Sequence, residues 1–352
     1  RPVRSPSVRD LFVEPDGRPS PVRGDQDTRP IARNPAPPRH VATSLVPEAF
    51  LRPLGRDVSA RQSKTFTATL HAAKRMLGEP FYAQDGYILY NTDSLAAMEL
   101  LKRAAFQADL ILTSPPYNIG KAYESIIAVE EYVSWSERWM AAAYGITSLN
   151  GAFWLNLGYF QVPGKGRAVP ISYLLWDKTR YHLVQELVWN YGAGVAAKKS
   201  FSPRNEKWLF FAKDPDVYTF NLDEVRDPNV KYPNQKKNGK FRCNPLGKNP
   251  SDVWTFPKVT TGTKRSSKER TGHPAQFPLG VVERIVRVSS DVGAVVVDPF
   301  AGSGSSGIAS AALGRVFLGF EISREYCKMA IDRFDDFRAA REQAARDLFL
   351  PS

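Results

Sequence analysis

The chain has 352 residues, 43% of them hydrophobic, with two cysteines and a formal charge of +12. That is enough apolar content for one large or two smaller cores, and it excludes a disordered or a disulfide-framed chain. No run of 18 apolar residues or signal peptide is recognisable, so no membrane association and a reducing, cytoplasmic setting are expected, while the positive excess points to a polyanionic partner.

Residues 1–62 hold eleven of the 27 prolines. Such spacing interrupts both helical and strand periods and predicts a largely extended Pro/Arg-rich arm. Two roles stand open for it: backbone contacts to a nucleic acid, or a tail without part in the chemistry. A catalytic half is then expected over 63–213. Tyr87–Tyr90 is a short strand, followed by Asn91-Thr92-Asp93-Ser94 and an amphipathic helix to about Arg103. Asp93 falls at the carboxyl end of that strand, where open α/β sheets bind ligands, and is also a good helix N-cap; the two roles are compatible.

Ala108–Leu112 is a buried-strand pattern that runs into Thr113-Ser114-Pro115-Pro116-Tyr117-Asn118. Two successive prolines lack N–H donors and fix φ, so they form a rigid rim with oriented carbonyls. With Ser114 before them and Tyr117 after them, the rim suits a planar base that carries an exocyclic amine. Further on, the patterns predict a helix over 129–149, strands over 152–157, 183–190 and 207–212, a helix over 168–180 and a loop at Pro163-Gly164-Lys165-Gly166.

Residues 226–272 carry twelve Lys or Arg against Asp227, Asp252 and Glu269, a balance of +9, with Tyr232, Phe241, Trp254 and Phe256 interleaved. A basic insert over 214–272 is therefore expected to contact nucleic acid. Its candidates are Lys231, Lys236, Lys237, Lys240, Arg242, Lys248, Lys258, Lys264, Arg265 and Lys268. His273-Pro274 then leads into a helix over 279–289, His273 being expected to anchor a loop.

The third part, 273–346, holds the Gly-rich turn. Ala294–Val297 is a β-branched strand, Asp298 ends it, and Gly302, Gly304 and Gly307 give G-x-G-x-x-G before a small-residue helix. A second strand over 315–320 ends at Glu321, placed to hold ribose hydroxyls of a nucleoside-containing cofactor. One helix, from 323 to about 346, completes the pattern. This unit usually opens a sheet but here lies near the end, so the fold expected is α/β, a doubly wound seven-stranded mixed sheet in permuted order. No set of residues with metal-ligand spacing stands out.

Together, Ser-Pro-Pro-Tyr, the basic insert, His-Pro-x-x-x-Pro, Asp-Pro-Phe-x-Gly-Ser-Gly and Gly-Phe-Glu resemble, over about 80–335, the β-group of amino-methylating DNA methyltransferases. The resemblance implies a Rossmann-like methyltransferase fold with S-adenosyl-L-methionine as cofactor and double-stranded DNA as substrate. It implies that Asp298, Phe300, Gly302, Ser303 and Gly304 lie against the methionine part of the cofactor, and that Glu321, with Ile322 beside it, takes the ribose. It further implies that Asp93 lies near the adenine, that Thr113 belongs to the same site, and that His273, Pro274, Ser305 and Ser306 hold the carboxylate end. Ser114 and the Pro115 carbonyl would accept hydrogen bonds from the target amine, with Pro116 fixing the turn and Tyr117 stacking on a flipped base. Ser before Pro-Pro-Tyr usually accompanies N4 of cytosine in this family, and Asp or Asn accompanies N6 of adenine. The resemblance also leaves room for a cognate restriction endonuclease, a homodimer and a nucleoid-associated setting. Cytosine C5 methylation is disfavoured, since neither Cys243 nor Cys327 stands in a Pro-Cys context. A nicotinamide-dependent oxidoreductase would share the Gly-rich turn but would leave Ser-Pro-Pro-Tyr and the basic insert unexplained; a non-catalytic DNA-binding module would leave the turn unexplained.

Overall fold

The computed structural model describes residues 48–121, 124–192, 196–259 and 269–347. The first part of the chain forms α1 (Glu48–Leu51), α2 (Arg56–Leu77), β1 (Tyr82–Gln84), β2 (Tyr87–Asn91), α3 (Ser94–Arg103), β3 (Ala108–Thr113), α4 (Val129–Ile146) and β4 (Thr147–Leu157). Next come β5 (Tyr159–Val162), β6 (Gly166–Pro170), α5 (Ser172–Leu175), β7 (His182–Asn190), β8 (Asn205–Ala212), β9 (Lys236–Lys237), β10 (Lys240–Phe241) and β11 (Val253–Thr255). The last part forms α6 (Leu279–Ser289), β12 (Val295–Asp298), α7 (Ser305–Ala312), β13 (Val316–Glu321) and α8 (Arg324–Asp347).

Nine strands form the main sheet in the order β1-β2-β13-β12-β3-β4-β8-β7-β11. Strands β2, β13, β12, β3 and β4 are mutually parallel, whereas β8 runs antiparallel to both β4 and β7. The β-branched and aliphatic runs read as continuous because the central strands are buried on both faces. Along β3, Leu110 and Leu112 enter one core while Ile111 enters the other; along β12, Val296 and Val295/Val297 divide the same way. One layer gathers α6, α7 and α8 with Trp154, Trp208 and Trp254, and the opposite layer gathers residues of α3 and α4 with Trp139 and Phe153.

All seven expected sheet strands are present, and the sheet adds β1 and β11 at its two edges. Each is three residues long, too short to show a period of two. β11 also lies inside the stretch expected to be a nucleic-acid insert, and two of that stretch's four aromatics serve the core. Trp254 is buried and stacks on Trp154 at 5.6 Å, and Phe256 meets it edge-on at 6.5 Å.

Three other expectations are corrected. Residues 48–51 and 56–62 are helical rather than extended: α2 crosses the expected boundary at 62. Buried Gln62 donates through Nε2 to the carbonyls of Ala311 (3.0 Å) and Arg315 (2.7 Å), tying α2 to the turn between α7 and β13. Residues 1–47 of that arm lie outside the described residues. The helix expected over 168–180 is instead the second strand of a β5–β6 hairpin and then the single turn α5. Gly164 at φ 72° supplies the hairpin turn, and Pro170 lacks the N–H that a helix interior would use. Finally, α4 stops at Ile146 because Thr147 already takes extended dihedrals and opens β4.

Candidate active site

At the switch point of the sheet, β12 leads to β13 on one side while β3 leads to β4 on the other, so their carboxyl ends open a crevice. Two turns nearly two hundred residues apart meet there. Asp298 Oδ1 accepts from Thr113 Oγ1 at 2.6 Å and from the Phe300 N–H at 3.0 Å, and Oδ2 accepts from Ser306 Oγ at 2.6 Å. This buried carboxylate joins the last residue of β3 to the first turn of α7. Burial pushes its pKa up to about 6, against the opposing pull of the three donors.

Gly304 caps α7 from the left-handed region, at φ 75°, a conformation that L side chains with a Cβ rarely hold. Gly307 is required for a different reason. A Cβ there would lie against the Tyr87 ring, with Tyr87 Cδ2 and Phe317 Cδ1 both at 2.7 Å. The third glycine thus lets α7 settle onto β2 and β13. The first-turn N–H groups of α7 have no intrahelical partner.

Glu321 ends β13 and is oriented by two backbone donors, Gly302 N–H to Oε2 at 2.9 Å and Ser323 N–H to Oε1 at 2.8 Å. Burial raises its pKa. Opposite stands His273, whose ring meets Tyr326 at 4.5 Å and whose Nδ1 accepts from the Ala275 N–H at 3.2 Å. Burial lowers its pKa to about 4, so the imidazole is neutral near pH 7. Phe300 packs against Trp135 at 5.6 Å and Trp139 at 5.2 Å.

On the β3 side, Ser114 Oγ donates to Tyr117 Oη at 2.9 Å, and Tyr117 Oη donates to Asn156 Oδ1 at 2.7 Å. The Tyr117 ring lies on Gly158, where a Cβ would come within 2.8 Å of Cε2. Tyr132 Oη donates to the Pro116 carbonyl at 2.9 Å. The following loop is held by Glu124, which accepts from the N–H groups of Asn118 and Ile119 at 2.8 and 3.0 Å. The diproline rim is therefore fixed from both ends.

A cavity of about 1050 Å³ is shared by both turns. Of the residues expected at the site, Asp93, Ser114, Pro115, Pro116, Tyr117, His273, Pro274, Asp298, Phe300, Gly302, Ser303, Ser305, Ser306, Glu321 and Ile322 line it. Thr113 and Gly304 are not in the wall. Thr113 is fully buried and acts through Asp298, and Gly304 faces Tyr87 and Ala330. Asp93 combines both expected features, lining the cavity and capping α3 by accepting from the Ala96 N–H at 2.8 Å. Ser305 and Ser306 have their hydroxyl protons committed inward, to the Phe277 carbonyl at 3.1 Å and to Asp298. They are thus poor hydroxyl donors to a ligand.

The basic candidates scatter more widely. Lys236, Lys237, Lys240 and Phe241 form an exposed hairpin with Asn238-Gly239 at its turn. Lys231 and Arg242 flank that hairpin. Lys248 is paired with Asp227 at 3.1 Å. Lys258 lies in the cavity wall, with Nζ 3.3 Å from Glu206 and 4.5 Å from the Tyr191 ring centre. Lys264, Arg265 and Lys268 lie outside the described residues. Residues not anticipated from the sequence include Asn156, Glu206 and Arg333, whose Nη1 donates to the Ser303 carbonyl at 2.8 Å and to Ser305 Oγ at 2.9 Å. Only Asn156 carried a readable signal: it is a polar residue inside an apolar strand run, and such a residue is buried when both amide ends find partners.

Residues 108–332 match the family described as DNA methylase, of the N6/N4 type. The chain is 54% identical over 276 residues to the type II methyltransferase M.ScaI of Streptomyces caespitosus, covering 78% of this chain and 90% of that protein. It is 32% identical over 263 residues to the DNA adenine methyltransferase YhdJ of Escherichia coli (strain K12), covering 72% and 84%. Among solved structures, the cytosine-N4-specific PvuII DNA methyltransferase aligns with a TM-score of 0.55 at 18% identity, over 76% of this chain and 95% of that one, a likeness of fold.

Proposed function

We propose a function from one premise: the chain belongs to the N6/N4 DNA methylase family. Within it, the chain is a site-specific methyltransferase that acts on double-stranded DNA, at the exocyclic N4 amine of a flipped cytosine. The observation that carries this assignment is the shared cavity, in which Ser114 and Tyr117 face the same space as Asp298, Phe300 and Glu321.

S-adenosyl-L-methionine, when bound, supplies an electrophilic methyl group on a cationic sulfonium. The donor set suits it. Asp93, Asp298 and Glu321 give the wall three carboxylates for a cofactor that carries a sulfonium and an ammonium, and the N-terminal end of α7 favours its carboxylate. Glu321, oriented by two N–H donors, is the residue for the ribose hydroxyls. The volume slightly exceeds the range of about 300–1,000 Å³ usual for single-ligand sites, leaving room for a base beside the cofactor.

Ser114 and the Pro115 carbonyl accept hydrogen bonds from the two amine hydrogens and turn the nitrogen lone pair out of conjugation with the ring, toward the cofactor wall; once methylated, the nitrogen sheds one of those hydrogens as a proton to solvent. Tyr117 offers its ring to the base. No protein nucleophile is needed, and neither Cys243 nor Cys327 lines the cavity, which speaks against attack on the ring at C6. Flipping the base costs a few kcal/mol, and phosphate contacts from the Lys236–Phe241 hairpin would offset part of it.

Asp298 gives this assignment a pH signature. Its pKa of about 6 means that its negative charge disappears below that value. Affinity for the cationic cofactor is expected to fall as pH drops below about 6, by up to tenfold per pH unit. The apo protein should show the opposite sign. A carboxyl whose pKa is raised on folding contributes stability that is present below its unfolded pKa and lost as pH rises through the folded one. Titration calorimetry with S-adenosylmethionine and with NAD, from pH 5 to 8, checks the first point, and thermal unfolding of the apo protein over the same range checks the second. The expected result is binding of the first only, weakening in acid, with the acid dependence flattened in Asp298→Asn. Tight NAD binding without response to S-adenosylmethionine would end the proposal.

A further inference from the structure

Asn156 sits on β4 at 1% exposure, its side chain directed between β8 and the diproline rim. Its Nδ2 donates to the Lys207 carbonyl at 3.1 Å. A carbonyl can only accept, so the NH2 end of the amide must face Lys207 and the oxygen end must face Tyr117. That oxygen is 2.7 Å from Tyr117 Oη, and it too can only accept. The single phenolic proton of Tyr117 therefore points away from Ser114. A further acceptor near that hydroxyl, Glu206 Oε2 at 3.5 Å, would draw the proton in the same sense. Between Ser114 Oγ and Tyr117 Oη, 2.9 Å apart, the shared hydrogen must then come from Ser114. The serine hydroxyl has no other hydrogen and keeps only lone pairs for a ligand. Pro115 and Pro116, the next two residues, have no N–H at all. The rim that would meet the edge of a base is thus made of acceptors.

We infer that Asn156 is a positioning residue which, through Tyr117, holds Ser114 as a pure hydrogen-bond acceptor, so that the pocket admits a base with an exocyclic amine and refuses one with a carbonyl in the same place. This deepens the methyl-transfer assignment above and rests on it. An amine brings two hydrogens to two acceptors. The O4 of uracil or thymine, or the O6 of hypoxanthine, brings lone pairs to lone pairs and leaves buried acceptors unsatisfied, at a cost corresponding to roughly ten- to hundredfold in affinity. Were the chain of hydroxyls free to reverse, Ser114 could donate to that oxygen and most of the discrimination would vanish.

The test uses duplex DNA bearing the site mapped by modification-sensitive sequencing, with the target base intact or replaced by its carbonyl analogue. That analogue is uracil if the mapped base is cytosine and hypoxanthine if it is adenine, so the choice between those bases does not affect the outcome. The readout is the ratio of the two dissociation constants, together with kcat and KM on the intact duplex. Any ease of flipping a mismatch is common to all variants and cancels when their ratios are compared. Tyr117→Phe, which keeps the ring on Gly158 and removes one oxygen, and Asn156→Leu are each expected to reduce the wild-type ratio about tenfold. They should lower kcat while leaving KM for S-adenosylmethionine within a few-fold. Asn156→Asp, which keeps an acceptor facing Tyr117 but sets its second oxygen against the Lys207 carbonyl in place of that bond, is expected to retain the ratio. Wild-type discrimination in Tyr117→Phe would overturn the inference. So would equal loss in Asn156→Asp and Asn156→Leu, since Asn156 would then matter only for joining β4 to β8. Failure of the underlying assignment reads differently: no methylated product from the wild-type enzyme on any duplex.

Discussion

Replacing Ser114 by alanine is expected to lower kcat for methyl transfer by roughly two orders of magnitude while leaving the affinities for S-adenosylmethionine and for duplex DNA within a few-fold. The magnitude follows from the usual cost of removing one preorganised hydrogen-bonding group at the reacting centre. The separation of effects follows from the fold. Ser114 follows β3 and is joined to the cofactor wall through Thr113 and Asp298, whereas most of the residues assigned to the cofactor extend from β12, β13, α7 and the His273 loop. Alanine removes the hydroxyl and leaves the Pro115–Pro116 rim, which is held through the Tyr132 hydroxyl and Glu124. Steady-state kinetics with radiolabelled cofactor, combined with equilibrium binding, separates the terms. An unchanged kcat would remove Ser114 from the chemistry, and a parallel collapse of cofactor binding would mean that the two walls are not independent.

Gly307→Ala is expected to destabilise the fold by about 3 kcal/mol, at the upper end of overpacking costs. The new Cβ would press on Tyr87 and Phe317, whose rings are 4.8 Å apart, and Tyr87 is itself stacked on Phe334 at 4.3 Å. All three rings are fully buried, so none can swing into solvent. Relief would have to come from α7 lifting off the sheet, which would also move the first turn of α7 away from Asp298. Thermal unfolding should therefore show a melting temperature lower by several degrees, with weakened cofactor binding in the surviving folded fraction. Gly55→Ala, at a site with nothing within 4 Å, is the control, and an equal loss there would remove the packing explanation.

Much of this was legible in the residues because parallel strands buried on both faces leave continuous β-branched runs and because the two functional turns use unusual residues. Asp298, Gly302 and Glu321 sit at the strand ends and glycine turn that the spacing indicated, and Pro115-Pro116 marked a turn with fixed φ, though a Pro-rich loop with a surface Tyr read equally well there. The edge strands β1 and β11 were not legible, since three residues carry no periodicity. The 168–180 segment misled because an amphipathic look survives in a sequence whose proline and glycine turns decide for a hairpin. The helix α2 was hidden by the proline-rich composition upstream of it. Among the basic residues, composition could not distinguish an exposed hairpin lysine such as Lys236 from Lys258, which the fold turns into the cavity, because charge is local while position is not. The same limit concealed Arg333, whose contact with Ser303 spans 30 residues and two elements.

The most direct measurement is the identity of the methylated nucleoside. Unmodified DNA incubated with the enzyme and S-adenosylmethionine, digested to nucleosides and separated by liquid chromatography with mass detection, should yield N4-methyldeoxycytidine. N6-methyldeoxyadenosine in its place would contradict the base assigned to Ser114, and 5-methyldeoxycytidine would contradict the direct amine transfer for which the cavity is argued to be built.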